Sequence, residues 1–258
     1  MRPFAIIFVF SIVFTANFVF AQYARFPVAG TVEYEKSINM FAVLKKRTEK
    51  DKGGFMTQLY ESYKKTQPQF KKVKSTLSFT DNKTLYTPHK SNETNQGFFN
   101  DEPAAGQHNI IYTDLTALNS VTQKNVFEET FLVKDSTRKI NWKITNETRE
   151  IAGYSCRRAN AIILDSIYVV AFYSDKIPVS GGPESFTGLP GMILGVALPH
   201  ENITWFATKV TDTPVAATAL IPPKKGKPTD VKGLVSTLQG ALKKWGDYAQ
   251  SALKAFLL

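Results

Sequence analysis

Residues Ile167–Tyr173 read Ile-Tyr-Val-Val-Ala-Phe-Tyr, and this stretch decides the fold. Apolar side chains occupy both alternating sets of positions, which is typical of a strand that is covered on both faces. Asp165 and Ser166, directly before it, lie at a predicted turn. The pattern therefore predicts a central strand whose partners are the segments on either side.

The segments around this strand alternate as β-strands do. Ile140, Trp142 and Ile144 are separated by polar residues, which predicts a strand with one apolar face. Further strands are predicted at Phe127–Val133, Gly153–Leu164, Met192–Leu198 and Ile203–Val210, with a turn at Asp135–Arg138. The short connections favour antiparallel pairing, because parallel pairing needs long crossovers.

The first half of the chain adds a helix to this sheet. Apolar residues at helical spacing predict a helix over Gly54–Lys65. The predicted strands are Thr31–Glu35, Val73–Thr80 and Thr84–Thr87, the last two joined by a turn at Asp81–Lys83. Residues 88–107 are polar and rich in Asn, Gly and Pro, so we expect a long loop.

The C-terminal segment, residues 229–258, has helical periodicity. Thr229 or Asp230 can cap the helix, and one apolar stripe runs from Val231 to Phe256. We expect this stripe to pack on the sheet or on the first helix; the alternative is a helix for a membrane surface or a partner. The fold class is thus α+β: a curved antiparallel sheet or half-open barrel carrying one helix from the N-terminal half and a C-terminal amphipathic helix.

The first 21 residues have the pattern of a signal peptide. Arg2 precedes an apolar run from Phe4 to Phe20, and cleavage is expected after Ala21. The alternative is an uncleaved anchor, although the run is short for a membrane-spanning helix. No later apolar run is long enough to cross a bilayer. We expect residues 22–228 to form the β-rich domain of a periplasmic or secreted protein.

The net charge of +10 is unevenly distributed. Between Lys45 and Lys74 there are ten lysine and arginine residues against three acidic residues. The basic patch comprises Lys45, Lys46, Arg47, Lys64, Lys65, Lys71 and Lys72. Such a patch attracts polyanions, and outside the cytoplasm these are anionic lipids, acidic glycans or an acidic protein face rather than nucleic acid. The alternative is a solvated surface that maintains solubility.

Few residues offer catalytic or metal-binding chemistry. Cys156 is the single cysteine, so no disulfide can form within the chain, and alternation places it beside Tyr154 on a face expected to be buried. The three histidines are far apart in sequence, which argues against a zinc site. We predict no metal and no cofactor. An envelope hydrolase using Cys156 or Ser185 is kept as an alternative function.

The loop from Pro178 to Gly191 contains four glycines and three prolines. A loop of this length inside a compact domain is uncommon unless it is functional or anchors something. Pro190 and Gly191 can occupy the centre of a type II turn. The residues expected to contact a ligand or partner are Pro178, Gly181, Gly182, Phe186, Gly188, Leu189, Pro190 and Gly191.

The end of this loop and four other segments resemble a known family. The signature reads Gly-Leu-Pro-Gly-Met-Ile over 188–193, and 140–145, 151–159, 171–179 and 222–227 agree with the same family. The chain resembles the GLPGLI family, exported Porphyromonas-type proteins of unknown function from Bacteroidetes. The resemblance implies a β-rich, periplasmic or outer-membrane-associated protein, but no reaction. Members are often encoded beside TonB-dependent outer-membrane receptors, and Ser136 and Ser166 look like that phylum's O-glycosylation sites.

The function predicted from these features is that of a non-enzymatic envelope protein. It would bind a hydrophobic or anionic ligand, or assist an outer-membrane TonB-dependent receptor. A one-sided sheet, a basic patch and the lack of a catalytic set of residues in the sequence motivate this prediction.

Overall fold

A computed structural model describes residues 26–49, 51, 53–89, 99 and 102–258. The predicted signal peptide lies outside the described residues, as does most of the predicted 88–107 loop. The strands are β1 Gly30–Asn39, β2 Phe70–Thr80, β3 Lys83–Pro88, β4 Ile110–Asp114, β5 Asn119–Val126, β6 Glu129–Ser136, β7 Lys143–Ile151, β8 Tyr154–Ile163, β9 Ile167–Ser174, β10 Met192–Leu198, β11 Ile203–Thr211 and β12 Lys227–Thr229. The helices are α1 Met40–Thr48, α2 Phe55–Thr66, α3 Pro103–Gly106, α4 Val231–Ala241 and α5 Ala249–Leu257.

All of these strands form one 12-stranded sheet in the order β12-β6-β5-β4-β3-β2-β1-β11-β10-β9-β8-β7. The sheet does not close, and the only parallel pair among the described strands is β12 with β6. Most pairs are hairpins between consecutive strands, whereas β1 with β11 joins the two halves of the chain. The predicted α+β class with a mostly antiparallel sheet is confirmed.

The sheet buries one face, here called the inner face, which carries Val32, Tyr34, Lys36 and Ile38 on β1. These residues alternate with partly exposed neighbours, as period-2 strands require. The largest hydrophobic cluster joins this face to α1, α2 and β9. Strand β9 pairs with β8 and β10, the segments on either side of it as predicted, but it is third from the β7 edge and not central in the sheet. The predicted helix over Gly54–Lys65 is confirmed as α2, which packs through partly buried residues only.

The C-terminal segment packs on the sheet as two helices instead of one. The backbone leaves the helical path between α4 and α5, where Gly246 has φ 55°. The side chain of Asp230 caps α4 by accepting a hydrogen bond from the Gly233 N–H at 2.7 Å. The apolar stripe contacts Val126, Phe131 and other residues of β5 and β6.

Three local predictions are wrong. The strand expected at Ile140–Thr145 begins at Lys143, and Ile144 is 41% exposed because β7 is an edge strand that pairs with β8 alone. Phe127 lies in a turn with φ 52°, so the strand expected at Phe127–Val133 begins only at Glu129. This strand, β6, extends to Ser136 and therefore includes the first two residues of the turn predicted at Asp135–Arg138. Strands β4, β5 and β12 and helix α1 were not predicted, nor was α3, which lies within the loop expected over residues 88–107.

Candidate functional site

The glycine- and proline-rich loop, residues 178–191, lies mostly in the protein interior. Phe186 and Leu189 belong to the main hydrophobic cluster, and Gly181 and Gly182 are buried. Pro178, Gly188 and Pro190 are exposed. The loop therefore covers part of the sheet and does not form a free rim.

Close packing explains the glycines at two places in this loop. A Cβ on Gly182 would lie 2.7 Å from a backbone oxygen, and a Cβ on Gly191 would lie 2.2 Å from the Ser174 oxygen. Gly191 has φ 151°, and its N–H donates to the Leu189 carbonyl at 2.8 Å. The predicted type II turn is therefore wrong, because Pro190 is the centre of a three-residue turn.

The loop carries a carboxylate into the interior at Glu184. This side chain is buried, and its backbone has φ 51°, a region that non-glycine residues rarely occupy. The Asn109 side-chain amide donates to Glu184 Oε2 at 2.9 Å.

Two lysines on the inner face are buried near this carboxylate. Lys36 on β1 places its Nζ 5.0 Å from the centre of the Trp205 ring. Lys124 on β5 donates from Nζ to Gln107 Oε1 at 3.2 Å. Burial lowers the pKa of both amines, that of Lys124 to about 8, while the charge of Glu184 opposes the shift.

Arg138 adds a third cation at the end of β6. One guanidinium nitrogen donates to the Leu257 carbonyl, and the other terminal nitrogen is buried without a hydrogen-bond partner. Burial lowers the pKa of Arg138. Asn109 Oδ1 is likewise buried without a partner. Among the residues that the structure describes, no carboxylate forms an ion pair with Lys36, Lys124 or Arg138.

Lys124 and Arg138 line a cavity of about 400 Å³ between the sheet and the C-terminal helices, here called the inner cavity. Its apolar lining comprises Ile111, Val133, Leu164, Val231, Leu234, Val235, Leu257 and Leu258. Its acidic residue, Asp135, accepts hydrogen bonds from the N–H groups of Val231 and Ser136, which lower its pKa. The cavity therefore combines apolar walls with cationic groups.

A larger cavity of about 840 Å³ lies between α1, α3 and α5, and Leu258 lines both cavities. Arg47, Glu102 and Tyr248 form its polar side: Arg47 lies 3.2 Å from Glu102 and stacks 3.9 Å from the centre of the Tyr248 ring. The Tyr248 hydroxyl donates to Glu102, and burial is the main cause that raises its pKa. These contacts tie α1 and α3 to the C-terminal segment.

The residues of the predicted basic patch differ in exposure and in partners. Lys45, Lys46 and Lys65 are exposed, whereas Arg47 is engaged with Glu102 as described above. Lys64 pairs with Glu61 and Lys72 with Glu35. Lys71 is half-buried, and its charge acts on Lys36 and His108.

The two candidate nucleophiles are in unreactive surroundings. Cys156 is buried, and burial raises the pKa of its thiol to about 12. The Ser185 hydroxyl donates to the main-chain oxygen of Leu258 at 3.3 Å. Among the described residues, no hydrogen bond joins a histidine to either side chain, and no cluster of three histidine, cysteine or acidic residues could hold a metal ion.

The predicted glycosylation sites, Ser136 and Ser166, are both exposed. Ser166 lies in the turn between β8 and β9, and its hydroxyl accepts a hydrogen bond from Lys254. Ser136 is the last residue of β6, because the turn predicted there is not formed. Within the described part of the chain, every helix is too short or too polar to span a bilayer.

Sequence reasoning did not single out Lys36, Lys124, Arg138 or Glu184. Lys36 had a usable signal, because it stands between Tyr34 and Ile38 on the apolar side of an alternating strand. Lys124, Arg138 and Glu184 gave no such sequence signal, because their surroundings result from contacts between segments that are distant in the chain.

The fold and the cavity define a class: α+β proteins with one open, mostly antiparallel sheet and a partly open cavity lined by apolar and cationic side chains. Residues 163–195, which include the whole glycine- and proline-rich loop, match the family described as "Protein of unknown function (Porph_ging)". This match confirms the resemblance drawn from the Gly-Leu-Pro-Gly-Met-Ile signature.

Two solved structures share the fold at a distance. Both are of PNGF-II, in the C2 and P21 space groups, with TM-scores of 0.50 and sequence identities of 15% and 16%. The similarity covers 80% and 81% of this chain but 31% and 33% of those chains, so this chain spans about a third of their length. No curated protein matches the chain. The comparison supports the fold alone.

Proposed function

We propose that the protein is an exported, non-enzymatic binding protein of the cell envelope that holds a hydrophobic or anionic ligand. The observation that carries the proposal is the inner cavity, where apolar walls surround Lys124 and Arg138. Ligand sites have mostly apolar linings with a few placed polar groups, and their volumes are about 300–1,000 Å³. The cavity of about 400 Å³ meets this description.

Binding explains the buried groups better than catalysis does. A nucleophile needs a base and an accessible, activated form, whereas the Cys156 thiol is buried with a raised pKa. Ser185 is engaged by a main-chain oxygen. Neither arrangement favours the alternative function as an envelope hydrolase.

The proposed location and partner are supported by the sequence pattern and the family resemblance. The N-terminal pattern supports export to the periplasm or beyond. The resemblance to proteins encoded beside TonB-dependent receptors supports a role in an outer-membrane uptake system, with such a receptor or an acidic glycan as the partner.

The proposal is tested on the full-length chain expressed in a bacterium and purified from the fraction to which it is exported. Organic extraction should release a ligand in stoichiometric amount, which mass spectrometry identifies. Extraction of a control sample that was unfolded and refolded in lipid-free buffer should release no ligand. The refolded protein should then enhance the fluorescence of 1-anilinonaphthalene-8-sulfonate through a saturable site. A protein that releases no molecule and binds no probe would contradict the proposal.

A further inference from the structure

We infer that the inner cavity binds an amphiphile with a single anionic head group, which lies between Lys124 and Arg138 while its chain lies along the walls made by α4 and α5. This inference rests on the proposed function and names the ligand class of that same site. The head group is an oxyanion, either a carboxylate or a phosphate monoester.

The first argument is the charge balance of the interior. Lys36 and Lys124 are buried on the inner face, Arg138 is partly buried, and Glu184 is the carboxylate whose charge acts on both lysines. Of these four groups Lys124 and Arg138 line the cavity, together with Lys139 and with Asp135, whose carboxylate is already held by two backbone N–H groups. Glu184 is hydrogen-bonded to a neutral amide rather than to a cation. A buried charge without a counter-charge disfavours folding, so a bound anion would compensate the positive charge of Lys124 and Arg138.

The second argument is the set of unused polar atoms. One terminal nitrogen of Arg138 is buried without an acceptor, although Arg138 lines the cavity. An arginine offers several N–H donors in a planar fork that suits carboxylate and phosphate oxygens. The Lys124 ammonium has three donors, of which the hydrogen bond to Gln107 uses one. Both residues can therefore donate to one head group.

The third argument is the shape of the remaining lining. Leu234 and Val235 on α4 and Leu257 at the end of α5 form the helix side of the cavity, opposite Ile111 and Val133 of the sheet. These side chains offer no hydrogen bonds, so they suit a hydrocarbon chain. The volume of about 400 Å³ limits that chain to a short one.

The test compares four probes of equal chain length: decanoate, decyl phosphate, decanol and decyltrimethylammonium. Isothermal titration of the delipidated full-length protein at pH 7 should show both anions binding at least about tenfold tighter than decanol, and the cation most weakly. Preference for one anion identifies the head group. Decanol binding as tightly as decanoate would overturn the inference and leave the proposed function intact. If no probe binds, the inference fails, and the extraction experiment decides the proposed function separately.

Two variants locate the head group. Lys124→Met and Arg138→Met should each lower the affinity for decanoate by about tenfold or more and leave that for decanol within about threefold. Lys134→Met, on the exposed face of β6, is the matched control and should bind as the wild type does. If Arg138→Met does not fold, Lys124→Met still decides. Unchanged decanoate affinity in a folded Lys124→Met variant would overturn the assignment.

Discussion

Replacing Lys124 by methionine should stabilise the protein at neutral pH and lose this effect in alkaline solution. Burial is the main reason why the pKa of Lys124 falls from 10.5 to about 8, with Glu184 opposing the fall. A difference of about 2.5 pKa units corresponds to about 3 kcal/mol, at about 1.4 kcal/mol per unit. This is the free energy by which the charged amine disfavours folding.

The pH range follows from proton binding. Below about pH 8 the amine is protonated in the folded and the unfolded chain, so the full penalty of burial applies. Between about pH 8 and 10.5 the unfolded chain binds more protons than the folded one, so raising the pH favours folding. Above this range both forms are neutral, and the penalty is absent.

Methionine would also leave Gln107 Oε1 without its donor, which costs about 1 kcal/mol. The expected net gain at pH 7 is therefore about 2 kcal/mol, or about 4–8 °C in Tm for a chain of this size. Urea unfolding, followed by circular dichroism at pH 7, 9 and 10.5, measures the difference from the wild type, with Lys134→Met as the control. A difference that stays constant from pH 7 to 10.5 would refute the reasoning.

Three further predictions concern the loop, the thiol and the C-terminal helices. Gly191→Ala should destabilise the protein by more than about 3 kcal/mol, because the new Cβ would lie 2.2 Å from a backbone oxygen and the residue has φ 151°. In Gly240→Ala, within α4, the new Cβ meets nothing within 4 Å, so this variant should stabilise the protein by up to about 1 kcal/mol. Urea unfolding measures the stability of both variants. Cys156 should react with 5,5′-dithiobis(2-nitrobenzoate) only at the rate of unfolding, since its thiol is buried with a pKa near 12. Tyr248→Phe removes the hydroxyl that binds Glu102 and should increase amide exchange in α5 by about three- to tenfold, as measured by mass spectrometry.

Each of these has a result that contradicts it. Equal stability of the two glycine variants would mean that the loop can relax around a methyl group. Rapid labelling of the folded thiol would show that Cys156 is accessible. Faster exchange throughout the sheet of the Tyr248→Phe variant would show that the hydroxyl supports the whole fold and not the helix contact.

Local pattern predicted the strands whose two faces differ clearly or are both apolar. Met192–Leu198 matches β10, and Ile167–Tyr173 falls one residue short of β9. Strands β4 and β5 were not predicted, because polar residues occupy inward positions that apolar residues would normally fill. These residues are Thr113, Ser120, Thr122 and Lys124. Ser120, Thr122 and Lys124 line the cavity, so on β5 the polar residues that border the site also remove the alternation signal.

The C-terminal helix was predicted from one apolar stripe, and the stripe does pack on the sheet. The break at Gly246 was not predicted, because a glycine within a helical pattern is compatible with a continuous helix. Packing of α4 on β6 and of α5 beside α3 requires the chain to change direction between them.

The α+β class, the antiparallel pairing and the family resemblance can be predicted from the amino-acid sequence, because they depend on the period of the apolar residues and on short motifs. The proximity of the charged groups became visible in the folded chain. Four separate segments of the chain carry Lys36, Lys124, Arg138 and Glu184. The pairing of β1 with β11, together with the loop and the helices that cover the sheet, brings these segments together. Burial and electrostatic interaction depend on distance in space, which alternation along the chain does not encode.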